Sequence, residues 1–149
     1  MVTRVVFFYL LIIVATGCDV TKKRNKEIAS TGNSWYLKNY TYSDGSANRY
    51  VFSKDVFEYF PVTAAESSSG SYSGGTYIKK LPELPLYYKL VDNIKLAFET
   101  KSDHTDSRQK GSSLVDITEN GNHVKFMLKM GSGSQQMIEK VLKEIKETR

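Results

Sequence analysis

The sequence predicts an α+β fold, in which an antiparallel β-meander or a small barrel-like sheet is followed by a C-terminal amphipathic helix. Three observations support this prediction. Ten Tyr and seven Phe recur in short alternating runs, a composition that favours strands. The pair Asn120-Gly121 lies between two alternating segments, as in a tight β-hairpin. After the Gly/Ser break at 131–134, apolar residues return at helical spacing.

Length and composition indicate one globular domain behind a short leader. The chain has 149 residues, of which 40% are hydrophobic and 25% charged. Its net charge of +5 includes a single basic cluster at 22–26, which is either a membrane-proximal segment or a hydrated linker. A nucleic-acid binder would carry a longer basic stripe, so no nucleic acid is expected as a partner. The single cysteine, Cys18, excludes an intramolecular disulfide.

The N-terminus has the make-up of a secretory signal peptide. Arg4 precedes an unbroken apolar run at 5–15, and small residues precede Cys18. The eleven apolar residues would span only ~16 Å as a helix, which is short of a bilayer core of ~30 Å. We therefore predict that residues 1–17 are a cleaved signal peptide rather than a transmembrane helix.

The four residues Ala15-Thr16-Gly17-Cys18 resemble the bacterial lipobox, with Ala15 where that motif usually has Leu. The resemblance implies that Cys18 is acylated on its sulfur and becomes the first residue of the mature protein. A plain signal peptide with a chance Cys is the alternative. The expected location is the bacterial cell envelope, lipid-anchored to a membrane. Asp19 favours the inner membrane, since Asp after the lipidated Cys marks retention there in enterobacteria.

The mature chain divides into a tether and a domain. Residues 18–33 comprise the lipidated Cys and a polar, flexible tether, and residues 34–149 form a single β-rich domain with a C-terminal helix. The predicted strands lie at 34–40, in two parts of 49–60 joined at 53–55, at 76–80 and over 86–101. A Gly/Ser loop is expected at 66–75 and a polar loop at 102–113.

Two segments carry the most detailed predictions. The run at 86–101 is interpreted as a strand, because Ile94, Leu96 and Phe98 fall on one face of a two-residue period. Folding the chain at Asn120-Gly121 fixes a hairpin register. Its predicted cross-strand pairs are Ile117 with Val124, Val115 with Phe126, and Asp116 with Lys125. The predicted C-terminal helix carries a stripe of Met137, Ile138, Val141, Leu142 and Ile145.

Candidate catalytic and metal-binding groups are few. The segment 103–106 offers His104 and two carboxylates to a metal ion, or is simply a polar loop, and its spacing matches no strong metal signature. His123, beside the hairpin turn, is expected to face solvent. Glu58 and Glu99 are carboxylates that could approach each other only through the fold. No hydrolase or metalloprotease motif is present. We predict no catalytic residue, no cofactor and no metal, and hence no enzyme.

Two families of small envelope proteins are similar in places. Ser34-Trp35-Tyr36 resembles the Gly-x-Trp-Tyr start of lipocalins, and the strands and final helix extend the likeness over 33–147. Asn33 replaces the family's Gly, and the second motif, Thr-Asp-x-Tyr, is absent. The resemblance implies a barrel whose closed end is plugged by Trp35; a core Trp is the other reading. Residues 69–72 loosely resemble a loop of membrane-bound lysozyme inhibitors, whose disulfide is impossible here.

The predicted function is that of a membrane-anchored bacterial lipoprotein acting as a non-catalytic accessory or interaction subunit in secretion, conjugation or envelope assembly. The expected partners are membrane lipid, through acylated Cys18, and an envelope protein. The alternative is lipocalin-like binding of a small apolar ligand. An apolar cavity would favour the binder, and a filled core with an exposed surface patch would favour the interaction subunit.

Overall fold

A computed structural model of the protein describes residues 34–67 and 74–149. The predicted signal peptide, Cys18, the predicted tether and most of the expected Gly/Ser loop lie outside these ranges. The described residues form one antiparallel sheet of seven strands, with two α helices. This arrangement confirms the predicted α+β fold with a C-terminal helix.

The sheet is an open meander extended by a hairpin. Its strands are β1 (Asn39–Ser43), β2 (Arg49–Phe52), β3 (Phe57–Phe60), β4 (Ile78–Lys80), β5 (His104–Thr105), β6 (Ser113–Glu119) and β7 (Asn122–Leu128). Their spatial order is β4-β3-β2-β1-β6-β7-β5. The edge strands β4 and β5 do not pair with each other within the described ranges, so the sheet there is a meander rather than a closed barrel.

Both helices, α1 (Leu84–Glu99) and α2 (Gly133–Glu147), pack against the same face of the sheet. That inner face carries the alternate, buried residues of the strands, several of them aromatic: Tyr40, Tyr42, Tyr50, Phe52, Phe57 and Tyr59. The predicted stripe of α2 is confirmed for Ile138, Val141, Leu142 and Ile145, whereas Met137 is 39% exposed. The helices and the sheet therefore share one hydrophobic core.

The prediction of a strand at 86–101 is wrong, because residues 86–99 lie in α1 and Lys101 begins a 3₁₀ turn. Its buried residues recur every three or four positions: Tyr87, Leu90, Val91, Ile94 and Ala97. Of the residues assigned to one strand face, Leu96 is 47% exposed. Pro85 at the first turn is well suited to a helix start, because it lacks an N–H that would have no partner there. The two-residue period held only from Ile94 to Phe98, too short a window to identify a strand.

The first ordered residues also differ from the prediction. Residues 34–40 were expected to form a strand, but Trp35–Leu37 is a 3₁₀ turn and β1 begins at Asn39. The ring of Trp35 lies 5.7 Å from that of Phe98 on α1, with 56° between their planes. Trp35 is thus partly buried against a helix and has no barrel end to close.

The hairpin prediction is confirmed in turn and register. Asn120 and Gly121 have φ angles of 49° and 80°, as a type I′ turn requires. The observed pairs include Ile117 with Val124, Val115 with Phe126, and Asp116 with Lys125. The hairpin therefore follows from local sequence alone.

Gly121→Val should lower the free energy of unfolding by about 1 kcal/mol or more, because a β-branched residue is strained at positive φ. A side chain here would meet no atom within 4 Å, so the loss would report backbone strain rather than a clash. Lys125→Ala, which removes one exposed ion pair of the same hairpin, should cost well under ~1 kcal/mol. Urea denaturation of both variants measures the difference, and equal losses would contradict this assignment of the turn's strain.

Candidate interaction site

Two of the groups considered at 103–106 as metal ligands have other contacts, His104 in packing and Asp103 at the start of α2. The His104 ring stacks on Phe126 at 4.8 Å, and its Nε2 lies 2.8 Å from the carbonyl oxygen of Ala97. Asp103 accepts a hydrogen bond from the Ser134 N–H at the start of α2, and its hydrogen bonds with Ser134 lower the pKa of Asp103. Over residues 34–67 and 74–149, no three His, Cys, Asp or Glu side chains are grouped so that they could hold a metal ion.

The face of the sheet opposite the helices is a regular surface that neither described α helix covers. We call it the outer face; it consists of the strand residues that alternate with the core. Register places six of them in one row across the sheet, namely Lys79, Glu58, Val51, Thr41, Asp116 and Lys125. All six are partly or fully exposed. Charged groups therefore lie at both ends of the row, with smaller uncharged residues between them.

At one end of this row, Asp116 holds two basic side chains of β7. Lys125 Nζ lies 3.2 Å from one carboxylate oxygen, and His123 Nδ1 lies 3.0 Å from the other. Partial burial raises the pKa of Asp116, but the hydrogen bonds from His123 and Lys125 outweigh that effect and hold it below its usual value. The prediction that His123 faces solvent is confirmed, and its side chain is 52% exposed.

This cluster includes a hydroxyl, a histidine and a carboxylate, but its geometry does not suit a proton relay. Thr118 Oγ1 lies 3.2 Å from the same Nδ1 atom that contacts Asp116. A relay requires the carboxylate and the nucleophile on different ring nitrogens, so that the base can take a proton on one while it is oriented through the other. Asp116, His123 and Thr118 therefore form a surface hydrogen-bond cluster.

The two carboxylates considered as a pair from sequence are not brought together. Glu58 lies on the outer face of β3 and forms an ion pair of 2.8 Å with Lys79. The Lys79 hydrogen bond is the main reason that the pKa of Glu58 is lowered. Glu99 is exposed at the end of α1, on the helix side of the sheet. Neither residue has the partner that acid–base chemistry would require.

The second unusual feature is the open edge of β7. This strand has seven residues, whereas its outer neighbour β5 has two and pairs only with Leu128 and Met127. On the side away from β6, the segment from Asn122 to Phe126 therefore has no paired strand in the described part of the chain. We call this segment the β7 edge.

The direction of the backbone groups at the β7 edge follows from alternation. The Lys129 N–H donates to the carbonyl of Asp103, on the β5 side. In an antiparallel ladder successive residues point to opposite sides, so the N–H and C=O groups of His123 and Lys125 also point away from β6. Those of Val124 point toward its partner, Ile117. Two residues at the β7 edge thus offer backbone donors and acceptors to an added strand.

A buried polar network lies on the other side of the sheet. Glu139 Oε1 accepts hydrogen bonds from the Tyr42 hydroxyl at 2.9 Å and from Ser113 Oγ and Gln135 Nε2 at 3.1 Å each. Burial, followed by the nearby Glu139 charge, raises the pKa of Tyr42 far above its usual value. Gln135 also donates to the carbonyl of Gly111 at 2.9 Å. These bonds fix the position of α2 on the sheet, and their donors and acceptors are satisfied.

No protein-family model matches the chain, and a search of curated proteins finds no relative. Within the two described ranges, none of the helices combines the length and apolar character needed to cross a bilayer. The predicted lipidation residue, Cys18, lies outside those ranges. The candidate site is therefore defined by the geometry of the outer face and the β7 edge.

Sequence reasoning did not identify this site. It located the hairpin and the Asp116–Lys125 pair correctly, but it treated 102–113 as an unstructured loop. The extent of the β7 edge depends on how much of that loop pairs with β7, and only two residues do. The one local signal was the alternation of polar His123 and Lys125 on a strand that follows a tight turn.

Proposed function

We propose that this chain is a membrane-anchored bacterial lipoprotein that acts as a non-catalytic interaction subunit of the cell envelope. Acylated Cys18 would attach it to the membrane, and a second envelope protein would dock on the domain. The lipobox-like residues before Cys18 support the anchor. The observation that carries the docking proposal is the β7 edge, where two residues present unpaired backbone groups beside an uncovered sheet face.

The partner would add a strand to β7 and pair with its exposed backbone. The side chains of His123 and Lys125 lie on the outer face next to that position, and Asp116 is the carboxylate that both contact. Carboxylates at alternate positions of an incoming strand would complement them. A second copy of β7 paired antiparallel about Val124 would instead set His123 against Lys125, which makes self-association less favourable.

A proline at position 125 tests this proposal directly. Lys125→Pro removes the outward-pointing N–H without touching the bonds to β6, a substitution that edge strands tolerate. Lys125→Ala is the matched control, because it loses the same ion pair but keeps the N–H. A photo-crosslinking residue at His123 in the full chain should give one envelope-protein adduct in intact cells. We expect Lys125→Pro to abolish that adduct and Lys125→Ala to retain it.

Two further arms define what would contradict the proposal. The same photo-crosslinking residue at Lys140, which is exposed on α2, should give no such adduct. An adduct that persists unchanged in Lys125→Pro would exclude strand addition at the β7 edge. If an untethered chain bound fatty acids at micromolar affinity and replaced the anchored protein in a deletion strain, the interaction subunit would be the wrong function.

A further inference from the structure

The 3₁₀ turn Trp35–Leu37 presents an apolar side chain to solvent at the start of the domain. Leu37 is 79% exposed, the highest value among the large hydrophobic residues of the described ranges. Trp35 and Tyr36, which precede it, are only partly buried. Three consecutive large apolar or aromatic residues thus lie at the surface where the chain leaves the described domain toward Cys18.

The exposure of Leu37 is fixed by contacts on either side of it. The Tyr87 hydroxyl donates to the carbonyl of Tyr36 at 3.0 Å, and the Tyr36 hydroxyl donates to Asp92 Oδ1 at 2.6 Å. After the turn, Lys38 forms an ion pair of 3.0 Å with Glu119. Because its neighbours are held against α1 and the sheet, Leu37 is presented outward by the fold.

Helix α1 extends the same apolar surface. The rings of Tyr36 and Tyr88 pack edge to face with centroids 5.0 Å apart, and Tyr88 is 38% exposed. Leu84, one helical turn before Tyr88, is 45% exposed. We call Trp35, Tyr36, Leu37, Leu84 and Tyr88 the N-terminal apolar surface.

The composition of this surface is that of a membrane interface. Trp and Tyr concentrate where a bilayer meets water, since their rings are apolar and their N–H or O–H groups remain hydrated. An exposed lysine borders the rings: Lys101 Nζ lies 4.0 Å from the ring centroid of Phe98, which itself contacts Trp35. Long basic side chains can keep their charge at the level of the lipid headgroups.

The position of the surface in the chain favours a lipid occupant over a protein one. Only residues 19–34 separate Cys18 from Trp35, and even a fully extended segment of that length spans no more than about 60 Å. Trp35, Tyr36 and Leu37 are the first large apolar or aromatic side chains after Cys18 that the structure describes, so anchoring at Cys18 would keep them within reach of the bilayer. We infer that this surface rests on the membrane to which Cys18 is attached and orients the domain there, an inference that depends on the proposed lipid anchor.

Trp35 reports on this contact because it is the only Trp in the chain. The full lipoprotein, purified in detergent from its host, would be reconstituted into vesicles of anionic and zwitterionic lipid. A fraction of the acyl chains would be brominated near the headgroup to quench nearby Trp. In wild type we expect the emission of Trp35 to shift to shorter wavelength and to lose intensity. In Leu37→Asp we expect both the wavelength and the intensity to return toward those of the protein without vesicles.

Met130→Asp is the matched control. Met130 is 72% exposed and follows Leu128, which pairs with Ser113 at the end of the sheet opposite Trp35. This variant should be quenched as wild type is. Emission from anchored wild type that equals that of Leu37→Asp would overturn the inference. So would a blue shift without vesicles that grows with protein concentration, because it would identify a second copy as the occupant.

The failure of the proposed anchor would be seen separately. Mass spectrometry of the purified chain shows whether Cys18 is acylated. If it is not, coupling its thiol to a maleimide lipid places the chain on the same vesicles through the same residue. The comparison of wild type, Leu37→Asp and Met130→Asp then tests the membrane contact by itself, with the same expected and overturning results.

Discussion

Replacing Cys18 with Ser should abolish acylation and release the protein from the membrane, leaving either the uncleaved precursor or a soluble form. The expected effect is complete, because the chain has no second cysteine that could accept the lipid. Two or more acyl chains on one residue are enough to hold a protein stably on a bilayer, whereas a single chain is not. Metabolic labelling with a clickable palmitate, followed by separation of membrane and soluble fractions, measures both consequences.

Asp19→Ser is the control for this experiment. It leaves the sulfur and the residues before it unchanged, so label should be retained. If Asp after the lipidated Cys marks inner-membrane retention here, as it does in enterobacteria, the labelled variant should also move from the inner-membrane to the outer-membrane fraction. Equal label on wild type and Cys18→Ser would show that Cys18 is not the acylation site.

The second large effect is expected at alkaline pH, where the protein should unfold steeply. Burial is the first cause that raises the pKa values of Tyr40, Tyr42 and Tyr50 well above their ordinary value, and it raises the pKa of Tyr87 to about 12. An unfolded tyrosine ionises near pH 10. Above that pH the unfolded chain therefore binds fewer protons than the folded chain, and the free energy of unfolding falls as pH rises.

The size of the fall follows from the number of protons involved. Each tyrosine that is ionised only in the unfolded state contributes about 1.4 kcal/mol per pH unit, so four contribute roughly 5 kcal/mol per unit. The loss begins near pH 10 and continues up to the raised pKa of each residue. A domain of typical stability, ~5–15 kcal/mol, would not survive two to three units of this slope. Well below pH 10 these tyrosines are protonated in both states, so they add nothing to the pH dependence of the free energy of unfolding.

Urea denaturation from pH 8 to pH 12 measures this slope, with tyrosinate absorbance recorded alongside the unfolding signal. Tyr87→Phe removes one contributing hydroxyl and should make the alkaline fall shallower. If the buried tyrosines ionised together with the exposed ones while the fold stayed intact, their burial in the core would be wrong.

Local sequence was sufficient where the structure depends on neighbouring residues. The Asn120-Gly121 turn specifies its own backbone angles, and alternation on both sides allows one register, so the hairpin could be predicted to the residue pair. The α2 stripe is likewise a property of fifteen consecutive residues. Helix α1 was missed because its pattern emerges only over the whole run from Tyr87 to Ala97, with Pro85 marking its start.

The position of α2 on the sheet and the open β7 edge both depend on contacts between distant parts of the chain. The Tyr42–Glu139 hydrogen bond joins residues 97 positions apart, and Ser113–Glu139 joins residues 26 apart. The β7 edge is open because the segment after α1 supplies only a two-residue strand beside it. No local sequence pattern predicts where that segment lies, so the β7 edge could not be identified before the order of strands in the sheet was known.

The central position of β1 has a consequence for the order in which this domain folds. Its partner on one side, β2, is the next strand, but its partner on the other side is β6, and the pair Tyr40–Ile117 spans 117 − 40 = 77 residues. The β1–β4 meander and the β6–β7 hairpin can each form by closing short loops, whereas joining them requires a much larger loss of chain entropy. We therefore expect the pairing in the middle of the sheet, β1 with β6, to form last. Until residues 113–149 are present, one side of β1 has no strand to pair with, and the core lacks β6, β7 and α2.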